Sequence, residues 1–141
     1  MSAGVIKDSF EWPVRVYYED TDAAGIVYHA NYLRFMERAR TEWLRALGFD
    51  QGAIAREHGI AFVVRSADVE FLRPARFNDE LFATCALKRC GWASVEFHQT
   101  VIDQHDTLLC TGEIRVGSVN FKRMQPQRMP EAIYMGINNG K

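Results

Sequence analysis

One stretch of this chain reads as a long helix, and almost everything after it switches to the two-residue period of strands. Between Val27 and Leu47, the side chains Tyr32, Phe35, Met36, Ala39, Trp43 and Leu47 recur at three- and four-residue spacing and form a broad apolar face. Arg34, Glu37, Arg38, Thr41 and Arg45 fall on the other side, and Gly48 supplies a natural stop. A helix with several large apolar side chains on one face has to be buried against something wide. A shorter helix is expected from Asp50 to His58, ended by Gly59. From Arg65 to Phe71, Ala67, Val69 and Phe71 alternate with Ser66, Asp68 and Glu70, which predicts one buried and one wetter strand face. Leu81 to Lys88, Ala93 to Ile102 and Leu108 to Phe121 read as further strands, with turns at Cys90-Gly91 and Asp103 to Thr107. Val14 to Tyr18 reads as an opening strand.

The order is therefore strand, long helix, then four or so antiparallel strands, and it predicts a two-layer α+β domain with a sheet wrapped around one helix. The 141 residues suit a single domain spanning 1–141. The segment from about 123 to 141, with Pro126, Pro130 and a closing Asn-Asn-Gly-Lys, is expected to be a loosely held tail. The outer strands would present unpaired edges, and pairing with a second copy is the simplest remedy, so a homo-oligomer is expected.

Composition narrows the function classes. A formal net charge of -1 offers no general attraction for nucleic acid or acidic membranes. Cys85, Cys90 and Cys110 leave one thiol over in any pairing and sit in strand-like stretches, which favours buried, reduced cysteines. No run is long and apolar enough for a signal peptide or a membrane span, so the expected setting is soluble and cytoplasmic. The four histidines show no H-x-x-x-H spacing and there is no C-x-x-C, so no metal site is expected. A G-x-S-x-G elbow and a phosphate-cradling glycine loop are also missing, and no cofactor is implied.

What remains is the run from Arg15 to Tyr32. Its short strand is followed by Glu19, Asp20 and Asp22, then by Ala23, Ala24 and Gly25, just before the long helix. A carboxylate is thus delivered beside unshielded backbone where a helix begins. Helix N-termini present unpaired N–H groups and a partial positive charge, which suit a developing oxyanion. Acid plus oxyanion site is the minimum equipment for cleaving an ester-like bond. Asp22 is the candidate acid, although an aspartate before a helix is ordinarily a cap or turn former. His29 could move a proton near neutral pH, although a lone histidine at a helix start is ordinarily structural. Tyr28 and Tyr32 flank it as candidate substrate contacts, although Tyr32 lies on the apolar face, which favours a core role for it. Gly25 would serve through its backbone, and Asn31 is an alternative helix cap.

These residues carry a resemblance. Arg15-Val16, Thr21-Asp22, Gly25-Ile26-Val27, Tyr32 and Phe35 resemble the signature of the 4-hydroxybenzoyl-CoA thioesterase family of hotdog-fold proteins. The fuller string from Tyr17 to Thr41 is similar to its Tol-Pal-associated acyl-CoA thioesterase branch, and the likeness runs on through Phe62-Val63-Val64, Glu70 to Pro74 and Asp79-Glu80. The resemblance implies a sheet of about five strands around one long central helix, paired into a dimer or a dimer of dimers, with active sites at the subunit interface. It implies hydrolysis of acyl-CoA to free acid and CoA. The family's catalytic aspartate falls on Asp22, as nucleophile or general base, and its backbone oxyanion donor falls on His29. The histidine replaces a tyrosine of the 4-hydroxybenzoyl enzyme, which favours other acyl groups over a hydroxybenzoyl one. Acyl-carrier protein is a further partner the resemblance allows. Two other classes fit the same residues: an acyl-thioester hydratase or dehydratase, and a non-catalytic module binding acyl-CoA or acyl-carrier protein.

Overall fold

The computed structural model describes residues 9–139. Strand β1 (Phe10–Arg15) leads through a 3-10 turn at Tyr18–Asp20 to helix α1 (His29–Ala46), followed by helix α2 (Gln51–His58). Four strands come next, β2 (Ile60–Phe71), β3 (Glu80–Cys90), β4 (Ser94–Asp103) and β5 (Leu108–Asn120), and then helix α3 (Glu131–Asn139). The strands form one antiparallel sheet in the order β1-β3-β4-β5-β2. Hairpins join β3 to β4 and β4 to β5, whereas β2 crosses to the far edge.

The sheet closes over α1 as the apolar periodicity requires. Phe35, Met36 and Ala39 on the helix, and Leu81, Ala83 and Val101 on the sheet, are completely shielded from water. Each large apolar side chain so enclosed contributes roughly 1.5–3 kcal/mol relative to exposure. One polar group lies among them. Gln99 is fully buried, and its amide donates to the carbonyls of Met36 and Thr84 at 3.0 Å each. Its oxygen accepts from Arg40 Nη1 at 2.9 Å, so the side chain is tied to helix and sheet at once.

Four departures from the sequence reading have physical causes. Strand β1 is earlier than expected, because the chain bends at Tyr17 into the 3-10 turn. Helix α1 begins at His29, since residues 21–27 are held in a bridged turn that pairs Thr21 with Val27. In β2, Ala67 and Phe71 are exposed instead of buried, because this strand is an edge with no neighbour beyond it. The segment after residue 122, expected to be loose, is pinned down as far as it is described. Met129, Ile133 and Ile137 recur every four residues and are all buried. Tyr134 stacks on Trp92 at 3.7 Å, and the Arg128 guanidinium covers the same indole at 4.1 Å. Residues 140 and 141 of that expected tail lie outside the described residues.

A docked α3 makes Ile133 a core residue. Replacing it by alanine should cost about 2–5 kcal/mol in urea unfolding, as for other buried isoleucines. A midpoint unmoved by Ile133→Ala would show that the helix does not pack as described.

Candidate functional site

The segment between β1 and α1 is built around Asp20, not Asp22. Asp20 is the buried acid of the three, 5% exposed. Its Oδ2 accepts from the Tyr17 amide at 2.8 Å and its Oδ1 from Asn31 Nδ2 at 2.7 Å. Its backbone carbonyl takes the Tyr28 amide at 2.8 Å. One aspartate therefore ties the 3-10 turn, the last residue before α1 and the first turn of α1 into a unit. Charge-assisted bonds of this kind are about twice as strong as neutral ones. Asn31, weighed above as a cap, is instead a buried residue inside the helix whose side chain serves Asp20.

From that base the chain rises into a small bridged loop. The Asp22 amide donates to the Ile26 carbonyl at 2.9 Å, and the Gly25 amide returns to the Asp22 carbonyl at 3.0 Å. Gly25 has φ +81°, a left-handed conformation that a side chain would strain, which explains a glycine there. Asp22 Oδ1 accepts from the Ala24 amide at 2.9 Å, so part of its role is to close the turn. Asp22 is exposed, and its second carboxylate oxygen has no protein donor among the described residues.

The loop returns to the helix along the segment that joins β2 to β3. The Val27 amide donates to the Ala75 carbonyl at 2.9 Å, Ile26 bridges to Arg76, and the Tyr32 hydroxyl accepts from the Ala75 amide at 3.0 Å. Burial raises the pKa of Tyr32, the Ala75 hydrogen bond only partly opposing it. Tyr32 is thus a core strut, 3% exposed, which is the bland alternative weighed above.

His29 is the first residue of α1, and the preceding Tyr28 provides no side-chain cap for the helix. The opening amides of a helix have no acceptor within the ladder, so these point a partial positive charge out of the fold. The His29 ring is exposed and lies among aromatics, 4.5 Å from Tyr28 and 5.9 Å from Phe71, centroid to centroid. Phe71 also contacts Tyr32 at 5.7 Å. It ends strand β2 and remains 49% exposed beside Leu72, also 49%, so the site opens onto a bare sheet edge.

The single chain brings His29, Tyr28, Tyr32 and Phe71 together. It does not join Asp22 to them by any hydrogen bond or ring contact among the described residues. Phe71 and the Asp20–Asn31 pair escaped the sequence reading. The pair's partners are eleven positions apart across a turn of unforeseen shape. Phe71 was read only as a core strand residue. No cluster of three or more histidine, cysteine or acidic residues able to hold a metal occurs among the described residues. Among them, no helix is long and apolar enough to cross a membrane.

The family model described as the thioesterase-like superfamily matches residues 16–136. A relative from Escherichia coli O6:H1 named acyl-CoA thioester hydrolase YbgC is 46% identical over 124 residues, covering 88% of this chain and 92% of that protein. An acyl-CoA thioesterase YbgC of Haemophilus influenzae is 37% identical over 97% of this chain and its own full length, 100%. A crystal structure of a probable thioesterase from Bartonella henselae superimposes with TM-score 0.81 at 33% identity, over 86% of this chain and 99% of that one.

If Asp20 and Asn31 hold the start of α1 in place, Asn31→Ala should destabilise the protein by about 1–3 kcal/mol, the cost of a buried acceptor left without its donor. Denaturant midpoints for the two proteins check this, and equal midpoints would dissolve the proposed brace.

Proposed function

The chain belongs to the thioesterase-like superfamily, of the hotdog fold, and on that premise we propose that it hydrolyses acyl-CoA thioesters to the free acid and CoA at the start of α1. The observation that carries this reading is a helix whose first residue is His29, opened without a side-chain cap, beside a bridged turn that exposes one carboxylate. The amides at the helix start polarise the thioester carbonyl and stabilise the oxyanion that forms. Losing one such donor typically costs ~2.7–4 kcal/mol of barrier lowering. Asp22 either attacks the carbonyl carbon or takes a proton from a water that does so. The tetrahedral intermediate collapses by breaking the C–S bond, and the CoA thiolate leaves with a proton that His29 can supply. On the nucleophilic route this leaves a mixed anhydride on Asp22, which a water molecule then hydrolyses to the free acid and the restored carboxylate. Tyr28 and Gly25 shape the acyl entrance, and Tyr32 holds the segment behind it from within the core.

A second copy of the chain completes the site. Strand β1 carries Pro13, which lacks the N–H an edge needs for pairing. Strand β2 is twelve residues long with no proline, and Val64, Phe71 and Leu72 stand exposed along and beyond it. Two-fold pairing along β2 runs the strands antiparallel, so the partner's chain walls in the exposed Asp22 and His29. The soluble, cytoplasmic setting expected from the sequence suits such an enzyme.

Release of free CoA thiol is the direct assay, and the protein's own thiols stay out of it. Cys85, Cys90 and Cys110 are all buried, and burial pushes Cys85 and Cys110 up to about 12. Asp22→Asn should keep its fold and oligomeric state and lose on the order of 10²-fold or more in turnover. Near wild-type turnover would remove Asp22 from the chemistry. His29→Ala should lose less, because its backbone donor survives, and unchanged kinetics would make that ring structural only. Light scattering should give at least a dimeric mass, and a strict monomer would end the shared-site reading.

A further inference from the structure

The turn that leads from β5 towards α3 is firmly held, yet its side chains face water. Asn120 is its hub. The Asn120 Oδ1 accepts from the Lys122 amide at 3.0 Å and from the Arg123 amide at 2.9 Å. Its carbonyl accepts from the Met124 amide at 2.7 Å, and its own amide donates to the Gln125 carbonyl at 2.8 Å. The Phe121 amide is tied to the Gly59 carbonyl, at the end of α2, at 2.8 Å. Every residue from 121 to 128 is nonetheless exposed.

Two side chains of this turn do nothing for packing. The non-glycine residues with positive φ among the described residues are Asn78, Asp106 and Met124. Asparagine and aspartate tolerate the left-handed region, whereas methionine at φ +55° carries the strain. Its side chain is 57% exposed, so no burial offsets that strain, and Phe121 is exposed to the same 57%. The charge is equally one-sided. The run Phe-Lys-Arg-Met-Gln-Pro-Gln-Arg, residues 121–128, holds Lys122, Arg123 and Arg128 and no acid, in a chain of formal net charge -1. No ion pair among the described residues involves these three cations. The whole chain has no general attraction for an anionic surface, but this turn does.

We propose that this turn docks reversibly on an anionic lipid bilayer, with Phe121 and Met124 entering the headgroup region while Lys122 and Arg123 meet lipid phosphates. Apolar side chains flanked by cations suit that boundary, where burial and charge attraction add. Shape favours a bilayer over a folded partner. Eight consecutive exposed residues make a tip, around which a soft surface can close, whereas a rigid protein would need a matching recess. Ile60 pairs with Asn120, so the turn lies at the start of β2. Phe71, beside the helix start, ends the same twelve-residue strand, about 40 Å away at 3.3 Å per residue. Docking therefore leaves the helix start free and does not depend on the hydrolytic reading.

Co-sedimentation of the full chain with vesicles of mixed phosphatidylglycerol and phosphatidylcholine, and with vesicles of phosphatidylcholine alone, tests the proposal. Partition onto the anionic vesicles should be stronger by on the order of tenfold or more, and added salt should narrow the gap. Reversing the cations with Lys122→Glu and Arg123→Glu together should remove the preference for anionic lipid. Met124→Gly keeps both cations and relieves the backbone. It should weaken partition roughly threefold or more while the denaturant midpoint holds or rises. Absence of partition, equal partition onto both kinds of vesicle, or partition indifferent to either variant would each overturn the assignment. So would binding to an acidic protein in place of the vesicles.

Discussion

The architecture depends on keeping one amphipathic helix dry. The side chains from Tyr32 to Leu44 along α1 bury a face too wide for a single hairpin, and a five-stranded sheet is what encloses it. That enclosure has a directional consequence. With the body of α1 sheathed, the part of it left open is its N-terminal end, where the backbone is polar and the sheet stops. The sheet also has two edges, and the longer one, β2, finishes at Phe71 beside that helix end. Helix start and bare edge therefore meet at one place, because both follow from the way the helix is wrapped.

Polar groups inside the fold set the geometry that apolar packing leaves free. Asp20 is held by Tyr17, Asn31 and Tyr28, and it fixes how the turn that carries Asp22 sits on the helix. Tyr32 does the same from the other side by holding Ala75. At the middle of the helix, Gln99 links Met36, Thr84 and Arg40. Buried bonds of this sort are demanding, since a lost partner leaves a desolvated group behind. They explain how neighbouring acids in one short run, Glu19, Asp20 and Asp22, come to have different roles: Asp20 is turned inward as a brace, while Glu19 and Asp22 face water.

Much of this was legible in the residues. The α1 periodicity, the glycine stop of α2 and the strand-like runs after Ile60 carried the α+β architecture, although the alternation read in β2 did not match its burial. Gly59 ends α2 in a left-handed conformation as its type suggests. Three things were not legible. The tail's prolines masked the four-residue repeat of Met129, Ile133 and Ile137, since breakers are read more readily than a short apolar stripe. The inward turn of Asp20 depends on a bond to Asn31 across a loop, and no local pattern announces a contact of that kind. The exposure of Phe71 likewise depends on strand order, which pairing decides and sequence period does not.

A crystal structure with a 2-oxoalkyl-CoA, whose ketone is set off from the sulfur by a methylene so that it cannot be hydrolysed, examines the proposed chemistry most directly. The carbon and oxygen that stand in for the thioester should lie within hydrogen-bond reach of the His29 amide on one side and the Asp22 carboxylate on the other, with a partner subunit's chain closing the wall beyond Phe71. An analogue bound elsewhere, with Asp22 facing open solvent and the helix start empty, would contradict it.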